Sequence, residues 1–114
     1  MIQQNTEEQA VVFSALADPT RLMLVKLLSR QRVPDALCVN ALAGILGVTQ
    51  SAVSQHLRIL RVIGIVKGER RGYHVHYSIN REALERYRNL ISSVLTIEEP
   101  DKEEPCKKHC PVRR

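Results

Sequence analysis

The alternation of apolar and polar positions over residues 39–64 predicts two short helices joined by a tight turn. Residues 39–46 carry apolar side chains at i, i+3, i+4 and i+7, so the first helix has one narrow buried face. Gly47 follows the last of these positions, where glycine accommodates the left-handed backbone that ends many helices. Thr49 offers a hydroxyl that can cap the next helix. Because only Val48 separates the glycine that ends the first helix from the threonine that caps the second, the turn is short and projects the second helix outward.

The second helix is predicted to be amphipathic, with a polar, basic face that suits the major groove of DNA. Val53, Leu57, Leu60 and Gly64 recur at i, i+4, i+7 and i+11 and form its apolar stripe. On the opposite face, glutamine amides can pair with adenine, and arginine can reach guanine or a phosphate. An ordinary solvated helix face has a similar composition, which is the alternative interpretation. The side chains predicted to contact DNA here are Thr49, Gln50, Ser51, Ser54, Gln55 and Arg58.

Residues 65–79 change from a helical period to a period of two. Apolar and polar side chains alternate from Tyr73 to Ile79, which is the spacing of a strand with one buried face. Residues 68–72 have a glycine at each end and predict the loop of a β-hairpin. Two adjacent arginines at its tip would be exposed and would suit the narrow minor groove or a flanking phosphate. The hairpin side chains predicted to contact DNA are Lys67, Arg70 and Arg71.

Three histidines lie within the predicted second helix and the β-hairpin. His74 and His76 share one strand face, so a metal site there is one interpretation. We prefer the other interpretation, in which both are outward residues close to phosphate. His56 lies at the margin of the apolar stripe of the second helix and is interpreted as a packing or phosphate-contacting residue.

The flanking segments complete a winged helix-turn-helix, a mainly α fold with a β-hairpin wing and five helices. Thr6–Ala17 is predicted to be helical, Asp18 to cap the next helix, and Pro19 to occupy its first position. Asn80 is predicted to cap a last helix, whose apolar stripe lies within residues 84–95. A winged helix core can be complete without the last helix. We therefore expect the terminal helices to form a homodimer, with DNA half-sites about 34–36 Å apart. The alternative is that the last helix packs across its own domain.

Charge and composition favour a duplex-binding protein over an enzyme or a membrane protein. The net charge is +5, and residues 47–77 contain five basic side chains against Glu69 alone. Positive charge is thus concentrated on the predicted DNA-contacting elements. There is no glycine-rich phosphate loop and no plausible nucleophile–base set, so we do not expect an enzyme. No apolar run approaches the ~20 residues of a membrane span, and no signal peptide is visible, so we expect a cytoplasmic protein. Residues 1–97 are predicted to form the DNA-binding and dimerisation domain.

The order of these elements and four short motifs resemble the ArsR/SmtB family of bacterial metal-responsive repressors. The resemblance spans roughly residues 10–95, and its motifs are Ala-Leu-Ala-Asp-Pro-Thr-Arg at 15–21, Leu-Cys-Val at 37–39, residues 46–57 and residues 70–77. It implies a homodimer that binds operator DNA and releases it when an inducer binds.

The inducer sites of the family are only partly matched in this chain. Relatives that respond to arsenic or cadmium carry Cys-Val-Cys where this chain has Cys38-Val39-Asn40, so the second thiol is replaced. Relatives that respond to zinc or nickel place Asp and His ligands along the last helix, and residues 81–97 contain no Asp, His or Cys. The cysteine that persulfide-sensing relatives have before the connector is also missing.

Residues 98–114 are predicted to form a polar, mobile tail that contains two further thiols. Cys106 and Cys110 are four residues apart, with His109 as an additional potential ligand. If the tail folds back, Cys38, Cys106 and Cys110 supply three sulfurs, which suit As(III) or a soft divalent metal ion as inducer. Two alternatives remain open: a regulator of the same fold without a metal site, and a winged helix that serves as a protein-interaction module.

Overall fold

Five α-helices and three short strands follow one another in a computed structural model that describes residues 5–32, 36–100 and 109–110. This order confirms the predicted winged helix-turn-helix. None of the described helices has the length and apolar character needed to cross a membrane. A 3₁₀ turn at Ser93–Leu95 extends the last helix. The helices are α1 (Thr6–Leu16), α2 (Pro19–Ser29), α3 (Val39–Leu46), α4 (Gln50–Val62) and α5 (Arg81–Ser92), and the strands are β1 (Leu37–Cys38), β2 (Val66–Arg71) and β3 (His74–Ile79).

The helix boundaries follow from the capping residues that the sequence predicts. Asp18 accepts hydrogen bonds from two backbone N–H groups of the first turn of α2, at 2.8 and 3.1 Å. The hydroxyl of Thr49 accepts from the first turn of α4 at 3.1 Å, and the side chain of Asn80 accepts from that of α5 at 3.2 Å. Gly47 ends α3 with φ +69°. These caps satisfy backbone groups that have no partner within their own helices.

The core is aliphatic and lies where α2, α3 and α4 meet the sheet. α1 contributes Val12 to it, and α5 contributes Tyr87. The hydroxyl of Tyr87 donates to the carbonyl of Ile63 at 2.6 Å, which fixes α5 against the end of α4. The largest fully buried side chains are Leu24, Leu28, Leu42, Leu57, Leu60, Ile65, Val12, Val53 and Val66.

The three strands form an antiparallel sheet in the order β1-β3-β2. The hairpin loop predicted at residues 68–72 is wrong, since β2 continues to Arg71 and the turn consists of Gly72 and Tyr73. Gly72 supplies the positive φ, +67°, that this tight turn requires. Gly68 lies within β2, where a Cβ atom would stand 2.9 Å from a methyl carbon of Val75. That glycine marks close packing of strand side chains and not a turn.

The predicted alternation of buried and exposed residues along β3 is also only partly correct. Tyr73 is 97% exposed because it lies in the turn, and Ser78 is buried beside Ile79. β3 has β1 and β2 as neighbours and also contacts α2 and α3. The two-residue strand β1, which the sequence does not predict, pairs with the middle of β3, at His76 and Tyr77.

Truncating Leu60 should destabilise the fold far more than truncating its neighbour Val62. Leu60 is fully buried, whereas Val62 is 80% exposed. We expect Leu60→Ala to lower the free energy of unfolding by about 2–5 kcal/mol, because it removes transfer energy and leaves a cavity. Val62→Ala should change it by less than about 0.5 kcal/mol. Urea denaturation followed by circular dichroism measures both, and similar losses in the two variants would contradict this core assignment.

Candidate nucleic-acid interface

α4 presents its polar face to solvent because its apolar stripe is buried. Val53, Leu57 and Leu60 are at most 1% exposed, and they fix the rotation of the helix about its own axis. A helix with an exposed polar, basic face can enter a major groove and place amide and guanidinium groups against base edges. The structure brings together on this exposed surface Thr49, Gln50, Ser51, Ser54, Gln55 and Arg58.

A hydrogen-bonded contact joins the middle of α4 to the corner between α1 and α2. Nδ1 of His56 lies 3.1 Å from Nη1 of Arg21, and its Nε2 lies 3.7 Å from a carboxylate oxygen of Asp18. Since a guanidinium can only donate, Nδ1 accepts and the ring proton lies on Nε2. Nε of Arg21 also donates to the carbonyl of Ala15 at 2.6 Å. Of the two interpretations of His56, this geometry supports the packing residue.

The pKa of Asp18 is lowered, chiefly by the hydrogen bond from the backbone N–H of Arg21, with further contributions from His56 and Thr20. A carboxyl whose pKa is lowered by folding stabilises the protein above its unfolded pKa, near 3.8. That contribution is lost as the pH falls through the folded pKa.

Replacing Asp18 with Asn should make the fold less sensitive to acid. Asn retains an oxygen that can cap α2, but it does not titrate. We expect the difference in melting temperature between the wild type and Asp18→Asn to shrink as the pH falls from 6 to below about 3.8. The exposed Glu98→Gln variant is the control, and its melting curves should follow the wild type more closely. A constant difference at every pH would contradict the role of the Asp18 carboxylate.

The wing places its two adjacent arginines on opposite faces of the sheet. Arg70 pairs with Val75 and Arg71 with His74 in consecutive positions of the β2–β3 ladder. Arg70 is exposed, whereas Arg71 is partly buried and forms an ion pair with Glu69 at 3.1 Å. The expectation that both arginines are exposed at the tip is therefore wrong for Arg71. Arg71 shares its sheet face with Lys67, which is exposed.

The predicted thiol ligands are not brought together by the part of the chain that the structure describes. Cys38 is partly buried and precedes α3, Cys110 is exposed, and Cys106 lies outside the described residues. Among residues 5–32, 36–100 and 109–110, no group of three or more His, Cys, Asp or Glu side chains converges on a position for a metal ion. The three-sulfur site stays a prediction.

His76 is the residue whose position sequence reasoning missed. The sequence predicts that it faces outward, yet it is partly buried, and its Nδ1 atom is buried without a hydrogen-bond partner in the described part of the chain. Its direct partner across the sheet is Cys38. The position of His76 depends on its pairing with β1, and a strand of two residues is too short to show a period of two in the sequence.

Gln55 and Arg71 should affect DNA binding in different ways. If Gln55 reads a base, Gln55→Ala should weaken binding to the specific site by about 1–3 kcal/mol and leave binding to random duplex unchanged. If Arg71 contacts phosphate, Arg71→Ala should weaken binding to both duplexes and lower the slope of log K against log salt by about 1. Fluorescence anisotropy over a salt series measures both effects. A uniform loss for Gln55→Ala, or a sequence-selective loss for Arg71→Ala, would reverse these assignments.

Comparisons with known proteins agree with this geometry. Residues 18–67 match the family described as bacterial regulatory protein, arsR family. A transcriptional repressor SmtB homolog of Synechocystis is 45% identical over 85 residues, which are 74% of this chain and 61% of that protein. A cadmium resistance transcriptional regulatory protein CadC homolog of Staphylococcus aureus is 37% identical over 72% of this chain and 65% of its own length. The matched region thus spans less than two thirds of each of these two relatives.

Solved structures show the same fold. The crystal structure of a possible transcriptional regulator for arsenical resistance is 33% identical to this chain and superposes with a TM-score of 0.65. The match covers 75% of this chain and 84% of that one.

Proposed function

The chain belongs to the ArsR/SmtB family of bacterial transcriptional regulators, which are not enzymes, and from that premise we propose that it is a repressor released from its operator by a thiophilic metal ion or metalloid. One observation carries the proposal. Cys38 immediately precedes α3, the helix that positions the exposed polar face of α4. A ligand on that thiol would act at the junction between the wing and the helix-turn-helix.

The proposed operator contact combines α4 with the wing. The polar face of α4 would occupy the major groove, while Lys67, Arg70 and Arg71 would neutralise phosphates beside it. Since Arg71 pairs with Glu69 in the free protein, its contact with phosphate would exchange one anionic partner for another. This exchange makes Arg71 a weaker contributor to affinity than an unpaired surface arginine would be.

We also propose that the repressor is a homodimer formed through α1 and α5. The amide of Gln9 donates to the carbonyl of Leu90 at 2.9 Å, and Arg86 pairs with Glu8 at 3.1 Å. These bonds join the two terminal helices into one surface. Tyr87 is the buried residue of α5, and Leu84, Leu90 and Ile91 pack against the core while only partly buried, so this helix retains apolar area for a partner. Apolar side chains on or beside these helices that remain exposed are Val11, Phe13, Val94, Leu95 and Ile97.

The proposed inducer is As(III) or a soft divalent ion held by Cys38, with the tail thiols Cys106 and Cys110 as further ligands. The relative named for cadmium resistance supports this class of ion. A second candidate function is a regulator of the same fold that has no ligand site. The lack of a converging three-donor group within the described residues favours that candidate.

Titration of the DNA complex separates the two candidates. The reduced protein, bound to fluorescent DNA from upstream of its own gene, receives As(III), Cd(II) or Zn(II) in turn. We expect one of these ions to weaken binding by about 5–150-fold, the usual range of allosteric coupling, and we expect Cys38→Ser to abolish the response. Serine is a good residue before a helix, and Cys38 makes no side-chain capping bond, so the variant should fold and bind DNA normally.

Cys110→Ser tests the proposed contribution of the tail separately, because this exposed thiol lies in the tail and not at the start of α3. A reduced response in that variant would assign the tail a share in the site. Tight DNA binding that is indifferent to all three ions would favour the regulator without a ligand site.

A further inference from the structure

We propose that His76 is a second metal ligand beside Cys38, so that the two form a thiolate–imidazole site for a zinc-like divalent ion at the base of the wing. The inference rests on the proposed function, since it names the donor set through which the inducer would act. It differs from the three-sulfur arrangement, because its second donor lies in the sheet and not in the tail.

The register of the sheet places the two donors side by side. β1 and β3 are antiparallel, and Cys38 is the direct partner of His76. Direct partners in an antiparallel ladder project from the same face, with Cβ atoms about 4.5–5.5 Å apart. Bond lengths of about 2.3 Å to sulfur and 2.1 Å to nitrogen require the two donor atoms to be roughly 3.5 Å apart in a tetrahedral site. Side-chain rotation can meet that requirement while the backbone stays in place.

The state of the imidazole is the independent observation that indicates a ligand. Among the residues that the structure describes, Nδ1 of His76 is buried and has no hydrogen-bond partner, whereas buried polar atoms in native proteins are nearly always paired. The other two histidines of the DNA-binding region differ from it. His56 accepts from Arg21, and His74, two residues nearer the tip of the wing, is exposed. A metal bond would supply the interaction that the buried nitrogen of His76 does not make with any side chain or backbone group in residues 5–32, 36–100 and 109–110.

A carboxylate lies in the same row of the sheet but is paired with another side chain. Glu69 is the direct partner of His76 on its other side, so a thiol, an imidazole and a carboxylate follow one another across β1, β3 and β2. The carboxylate of Glu69 is turned to Arg71, at 3.1 Å. The proposed site therefore has two protein donors, with water or another exchangeable ligand in the remaining positions.

The donor types favour a divalent ion over As(III). Thiolates alone suit As(III) and other soft ions, whereas imidazole suits zinc, copper, iron and nickel. One thiolate with one imidazole is a combination that Zn(II) accepts, and Cd(II) and Co(II) are its spectroscopic substitutes. An ion there would tie β3 to β1, and β1 continues directly into α3. Binding would thus join the wing to the start of the helix-turn-helix.

The test follows Cd(II) binding to the full reduced chain by the ring nitrogen resonances of its histidines. We expect the Nδ1 resonance of His76 to move on addition of one equivalent, while those of His56 and His74 stay in place. His76→Gln should weaken Cd(II) binding by at least about tenfold, a loss that even outer-sphere substitutions can cause. His74→Gln is the matched control on the same strand face, and its affinity should equal that of the wild type.

A further variant keeps the proposal falsifiable if His76→Gln folds poorly. His76→Cys should retain Cd(II) binding and increase the ultraviolet sulfur-to-cadmium charge-transfer absorption, because the site gains a thiolate. No increase in that absorption would overturn the proposal.

The outcomes also separate this proposal from the proposed function. Cd(II) binding and DNA release that need Cys38 but are unchanged in His76→Gln would overturn the His76 ligand and leave the proposed function intact. A displaced His76 resonance and weakened binding in His76→Gln, without release of DNA by the ion, would support the site and overturn the proposed function.

Discussion

The burial of one stripe of α4 is the constraint on which the rest of the structure depends. Val53, Leu57 and Leu60 contact the core from three successive turns, and each is at most 1% exposed. A helix anchored along one stripe cannot rotate without exposing those side chains, so its polar face is held outward. The orientation of the surface proposed to contact DNA is therefore determined by the hydrophobic side of the same helix. Apart from Thr49, whose hydroxyl caps the helix, the exposed polar side chains of this face are available to a ligand.

The contacts around α4 also connect its polar surface to the terminal helices. His56 accepts from Arg21, which in turn donates to the last residues of α1. α1 is joined to α5 by the hydrogen bond of Gln9 and by the ion pair of Arg86. The proposed dimer surface and the proposed DNA surface thus belong to one packed unit. In such a unit the distance between the two α4 helices of a dimer would be set by how α1 and α5 meet their symmetry mates.

Features encoded by neighbouring residues could be predicted from the sequence, and features that depend on distant pairings could not. The caps Asp18, Thr49 and Asn80, and the glycine that ends α3, act within one helical turn and are read correctly from local patterns. Gly68 was misassigned to a turn, because the side chains that exclude a Cβ atom there belong to the other strand. The sheet face on which each wing arginine lies depends on the register of β2 and β3. If the predicted turn is misplaced by one residue, each side chain is assigned to the opposite face.

The site around Cys38 illustrates the same difference between local and distant information. A Cys-x-Cys pair would be visible in the sequence, but Asn40 occupies the position of the second thiol and is exposed. The residue opposite Cys38 is 38 positions away along the chain and becomes its neighbour only through a strand of two residues. Tertiary structure can thus supply a donor that the local motif lacks. His76 lies on β3, which pairs along its length with β2, so the imidazole and the two arginines proposed to contact phosphate belong to one hairpin. A metal ion bound to this imidazole would therefore constrain the positions of the two arginines.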